Sequence, residues 1–237
     1  MSMHWVHFIP ILTTILAIYF FIQIFRHYQS KKSAQYLLWW MLGVLTYGMG
    51  TLAESINTLF GVMSWNVTYW YIVGALLGGF PLAQGTVYLL LKPKPARLLG
   101  IVFSSLIVIA AICVVLSPVD TTVLADGRLS GKALTWQWVR YFSPLINLYS
   151  FVFLFGGAIY SAIKYYRDAR NDVRFLGNVF IAIGALLPGI GGSFTRMGYV
   201  EVLYVTELLG LLSIYYGYQI IKKDRSTSIH KVQAATV

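Results

Sequence analysis

Charge is what this sequence has least of. Only 11% of its residues are Asp, Glu, Lys or Arg, whereas a soluble domain carries about 25%. A chain so poor in charge cannot cover a water-facing surface. Cysteine is nearly absent too: Cys113 stands alone inside an apolar run, which excludes a disulfide framework and a cysteine metal site. Histidine is confined to positions 4, 7, 27 and 230. None falls well inside an apolar run, so membrane haem has no axial ligand, and neither a zinc-dependent hydrolase nor a Ser-His-Asp set has its histidine. The last apolar segment reads Gly210 to Tyr216 at its centre, and lysines follow only at Lys222 and Lys223. A retinal Schiff base therefore has no lysine. No cofactor, no metal and no enzymatic activity is expected.

Apolar residues are abundant, at 58% of 237 residues with a mean hydropathy of +0.69. Seven long apolar segments can be read, at about 8–26, 36–60, 68–91, 98–117, 140–163, 174–195 and 201–221. Each is long enough to cross a bilayer, which takes about 20 residues. The expected fold class is therefore all-α: a single polytopic bundle of seven transmembrane helices over 1–222. A short polar tail, 223–237, lacks apolar periodicity and is expected to be disordered. The first segment is not a cleavable signal. It has no basic residues ahead of it, no small-residue cleavage site, and Arg26, Lys31 and Lys32 behind it.

The net charge of +10 does not point to nucleic acid, because the basic residues sit between apolar runs rather than on one soluble face. They report topology instead. The loops after segments 1, 3 and 5 and the tail hold 14 of the 18 Lys and Arg residues. The remaining loops hold Arg128, Lys132, Arg140 and Arg196. Basic residues near span ends stay in the cytoplasm, so the N-terminus is expected outside and the C-terminus in the cytoplasm of a plasma-membrane protein. The longest loop, about 118–139, is then outside. Asp126-Gly127 marks a turn within it. Trp5, Trp65, Trp70, Trp136 and Trp138 fit an aromatic belt. Asn66-Val-Thr68 matches a short glycosylation sequon.

Small and polar residues recur at spacings of three and four. Segment 2 has Trp40, Gly43, Tyr47, Gly50 and Glu54; segment 3 has Gly74, Gly78, Pro81, Gly85 and Tyr88; segment 6 has Gly177, Gly184, Pro188, Gly191 and Thr195. Such spacing sets each group along one stripe, and glycine stripes let helix backbones approach in lipid. Pro188 with Gly189, Gly191 and Gly192 predicts a kink or a locally broken turn in the outer half of segment 6. A weaker echo, Phe8-Ile-Pro10 and Phe142-Ser-Pro144 at the starts of segments 1 and 5, suits a three-plus-one-plus-three repeat.

Glu54 and Glu207 are the most informative residues. Each lies about 9 Å inside a span at 1.5 Å per residue. A charge at membrane depth costs roughly 2.5–3.5 kcal/mol on insertion scales, so each acid should face the bundle interior and find a partner or a proton. Arg140 and Arg196 are the expected cations, with Glu201 nearby. These five, with Tyr47, Tyr204 and Gln84, form the expected ligand site in the outer third; the other reading is a buried ion-pair network. Asn147, Asn178 and Gln84 are expected to hydrogen-bond between helices.

"LLWWMLGVLTYGMGTLAESI" followed by "YWYIVGALLGGFPLAQGTVYLLL" resembles the seven-helix sensor regions of bacterial histidine kinases. The likeness rests on Trp40, Gly43, Tyr47 and Glu54, then an aromatic start and a proline-interrupted span. It covers about a quarter of the chain. No kinase, cyclase or coiled coil follows segment 7, so the resemblance implies that a separate partner carries the output. The layout is also similar to sugar facilitators, although Pro81 is followed by Leu82 rather than glutamine. The expected function is a sensor or receptor-like membrane protein. The alternatives are a small-solute transporter and an accessory subunit of a larger membrane complex. The expected partners are the lipid bilayer and such a separate signalling or complex partner, and not nucleic acid.

Overall fold

The computed structural model describes the backbone of residues 5–124, 127–167 and 171–234, and the side chains of these except Arg196 and residues 225–234. Apart from one isolated bridge between Val119 and Leu134, the described secondary structure is helical. Seven helices are long and apolar enough to cross a membrane: α1 (Trp5–Ser30), α2 (Gln35–Phe60), α3 (Ser64–Leu90), α4 (Pro93–Leu116), α5 (Gln137–Arg167), α6 (Asp172–Arg196) and α7 (Val200–Ala234). They coincide with the seven segments read from the sequence. This is a multi-pass membrane protein.

Six helices form a ring in the order α1, α2, α3, α5, α6, α7, closed by contact of α7 with α1. α4 lies outside the ring against α3 and α5. Its composition explains its place. It has the highest hydropathy of the seven, 3.0, and Leu98, Ile101, Val102, Val108, Ile109 and Ile112 all face outward. Lipid is as good a solvent for them as protein. The ring interior holds one continuous apolar core that includes Phe20, Leu37, Val44, Leu76, Leu211 and Ile214.

Glycines set the closest approaches, as the stripes imply. In α6 and α7, Gly184 and Gly210 face each other: a Cβ on Gly184 would stand 2.5 Å from the Gly210 carbonyl oxygen, and one on Gly210 would stand 2.9 Å from that of Gly184. Gly43 against Leu82 and Gly50 against Gly74 do the same between α2 and α3. The expected kink is not seen as a break: α6 runs unbroken from Asp172 to Arg196 with Pro188 inside it. Pro188 denies the Gly184 carbonyl its usual donor four residues on. The bare Cα of Gly210 packs there, so the helix closes around the defect with help from its neighbour. The irregular backbone lies elsewhere. α3 widens into π-type turns over Tyr71–Leu76 and loses helical form at Leu77–Gly79, ahead of Pro81. α5 has a matching wide run over Phe151–Gly156.

The 118–139 loop caps one end of the ring. Asp120 N donates to the Ala133 carbonyl (2.8 Å) and Thr135 N to that of Pro118 (2.9 Å). Leu124, Leu129 and Ala133 bury against Val67 of α3. Asp120 accepts from the Thr122 hydroxyl and backbone N–H, which hold its carboxyl below the usual range. Gly127 has φ of 73°, as its place in an Asp-Gly turn requires; Asp126 lies outside the described residues. Trp5, Trp65 and Trp138 point outward at this end, as a belt would. At the opposite end α7 continues helical through Ala234, where the sequence suggests a disordered tail. An ion pair from Arg174 to Asp224 (2.8 Å) ties the start of that extension to α6, and each further residue then needs only propagation.

Replacing Gly184 by Leu should destabilise the bundle by about 1–3 kcal/mol through overpacking, read by equilibrium unfolding in detergent. Gly189 faces open space, so Gly189→Ala should leave stability unchanged or raise it by up to about 1 kcal/mol. Equal losses at both positions would contradict the seam.

Candidate functional site

α2 reads Glu54, Thr51, Tyr47, Val44, Trp40, Leu37 at spacings of three and four. α7 answers with Glu207, Leu211, Ile214, Tyr218, Ile221. Both stripes face the ring interior, and so bring the two acids to one level beneath the capping loop. Glu54 is 3% exposed. Its carboxyl and that of Glu207 lie within hydrogen-bond reach of each other. The Trp70 indole N–H donates to Glu54 Oε1 (3.1 Å). Among the described residues no donor reaches Oε2 of either acid. The Tyr47 hydroxyl donates to the backbone carbonyl of Glu207 (2.8 Å), which fixes the α7 turn that carries the acid. Tyr204 is buried beside both acids. One turn along α2, Thr51 and Thr14 share a hydroxyl hydrogen bond of 2.9 Å.

Two further buried oxygens at this end lack a donor among the described residues, Oδ1 of Asn57 and of Asn66. Their amide nitrogens are used: Asn57 donates to the Gly127 carbonyl and Asn66 to that of Ala53, each at 2.9 Å. The buried surroundings of Glu54 are therefore rich in acceptors and short of donors. A carboxyl pair can form a hydrogen bond only with a proton between its oxygens, and two adjacent carboxylates in a dry interior repel strongly. The arrangement has room chemically for a proton or a small cation.

Of the expected cations, Arg140 does not join the pair. Arg140 donates to Gln137 within its own loop (2.6 Å), because α5 opens with a 3₁₀ turn over Gln137–Tyr141 that directs it there. The side chain of Arg196 is outside the described residues. Glu201 pairs with Arg128 (2.7 Å) and lies 3.6 Å from His7; Arg128 also reaches the Gly198 carbonyl, pinning the α6–α7 turn. Gln84 is fully buried away from the acids. It donates to the Ala96 carbonyl (2.8 Å) and accepts from the Tyr149 hydroxyl, so it joins α3, α4 and α5 as an interhelical hydrogen bond. Asn147 and Asn178 instead bond within their own helices, to Ser143 and to the Arg174 carbonyl. Trp70 and Arg128 were legible only as belt and loop residues, since nothing in their spacing marks them as partners of acids.

No protein-family model, no curated protein and no solved structure matches this chain. The site must speak for itself.

Trp70→Phe removes the one side-chain donor to Glu54 and should lower stability by about 1.5–3 kcal/mol, the range for a hydrogen bond to a charged group. Trp65→Phe, at an exposed ring, should change it by less than about 0.5 kcal/mol. Equal effects in detergent unfolding would remove Trp70 from the site.

Proposed function

We propose that this chain is a seven-helix sensor or receptor-like protein of the plasma membrane, with its N-terminus outside and the acid cluster as its input site. The stimulus is a proton or small cation taken between Glu54 and Glu207. The carrying observation is the pair itself: two carboxyls side by side, with a buried Oε2 on each that no donor among the described residues reaches. An uncompensated buried charge of this kind is expensive, so the state of the pair is coupled to how α2 and α7 pack. The change reaches the far end through these helices, where a separate partner reads it. The likeness of α2 and α3 to kinase-linked sensor regions supports the same reading.

Sensing is favoured over transport by what lies below the acids. Glu54 and Trp40 are 14 positions apart on α2, about 21 Å at 1.5 Å per residue. Phe20, Val44, Leu211 and Ile214 fill the interior between them, each buried in the common core. A transporter needs a polar site near the midplane and a path past it. Gln84, the one candidate for such a path, is engaged elsewhere.

Two measurements test this. In a Cys113→Ala background, a cysteine at position 122 should react with an impermeant reagent applied to intact cells, and one at position 94 should not; the reverse pattern overturns the orientation. In proteoliposomes, a fluorophore at position 32 should change its emission when protons or sodium are added at the capped end, while sodium and proton flux stay at the empty-liposome level. Glu54→Gln with Glu207→Gln should abolish the emission change. Flux above that level would favour the transporter.

A further inference from the structure

A separate space lies far from the acids. A cavity of about 330 Å³ opens at the end of the ring that carries the basic loops, between α1, α2, α3, α5, α6 and α7. Its size is in the range of small-molecule sites. Its chemistry is the inverse of the acid end. Lys164, Arg174 and Lys222 contribute cationic side chains to the wall. Among the described residues no carboxylate forms an ion pair with Lys164 or Lys222. Arg174 is held by Asp224 through Nε and lies over the Tyr165 ring at 5.4 Å. Trp40 contributes its indole ring to the wall, with the N–H edge buried against Gly85.

The rest of the wall is apolar and aromatic, including Leu37, Ile181, Ile221 and Tyr218. Leu89 of α3 and Tyr160 of α5 also line the cavity while being 49% and 59% exposed. The cavity therefore reaches the outer flank of the bundle between α3 and α5, where lipid would stand. Basic pockets between transmembrane helices suit anionic headgroups.

We propose that this cavity binds an organic anion with an apolar body, the phosphate of an anionic lipid or of a soluble aromatic phosphate ester being held by Lys164 and Lys222. The site is independent of the acid cluster and of the function proposed for it.

The test is thermal melting of the full chain in a neutral detergent, titrated with phosphatidylglycerol, phosphatidylcholine or benzyl phosphate. Phosphatidylglycerol or benzyl phosphate should raise the melting temperature and phosphatidylcholine should not. A response to the lipid alone identifies a bilayer source, and a response to benzyl phosphate alone a soluble one. Lys164→Gln with Lys222→Gln should require at least tenfold more of the active anion. Should that variant melt poorly without additive, Leu89→Trp, which narrows the mouth and spares the charges, should give the same loss. Lys94→Gln, at an exposed lysine of the same end outside the cavity, should respond as the unaltered chain does. The proposal is overturned if neither anion raises the melting temperature, if phosphatidylcholine does so equally, or if Lys94→Gln weakens the response as much as the cavity variants.

Discussion

Two carboxyl groups brought together inside the ring are the constraint around which the rest of this bundle is arranged. Glu54 and Glu207 sit on opposed helices that the ring brings together only through side chains. Each neighbour limits what the pair can do. Trp70 satisfies one oxygen of Glu54. Tyr47 grips the backbone of Glu207 rather than its carboxyl. Arg128, the nearby cation, is committed to Glu201 and the Gly198 carbonyl. The loop above closes the end with Asn57 bonded to Gly127. What remains is an excess of acceptors, which a proton or cation would balance.

The interior changes character along its length. Near the cap, α1, α2 and α7 present Thr14, Thr51, Glu54 and Glu207. In the middle they present Ala17, Phe20, Val44, Leu211 and Ile214. At the basic end they present His27, Trp40, Tyr218 and Lys222, with the His27 ring nitrogen and the Tyr218 hydroxyl bonded at 2.7 Å. An apolar layer between two polar ends of opposite appetite separates them chemically while joining them through the same helices. The sensor proposed above would use such a layer to keep water and ions from crossing between its two ends.

Much of this was legible beforehand, and the division follows from the physics. Spans are a property of local hydropathy, so all seven could be read along the chain. The Gly184 and Gly43 stripes were legible because close helix approach in lipid demands small residues at fixed spacing. In-span acids were legible as interior because lipid excludes them. Partner choice was not, because it depends on side-chain reach across helices. Arg140 turned back to Gln137, Gln84 was taken by Ala96 and Tyr149, and Trp70 moved from belt to acid partner. The cavity was illegible for the same reason: Lys164, Arg174 and Lys222 counted as topology charges, and only the fold brings them to one wall. At Pro188 the helix stays unbroken because a neighbouring helix packs against the defect that the proline makes.

The central claim is that Glu54 and Glu207 act as one unit. A double-mutant cycle with Leu at positions 54 and 207, followed by equilibrium unfolding in detergent, tests it directly. If the carboxyls share a proton or cation, each single Leu variant loses that interaction, and the double variant should be more stable than the sum of the two losses implies by about 1–3 kcal/mol. Additivity within about 0.5 kcal/mol would mean two independent buried acids and would contradict the account.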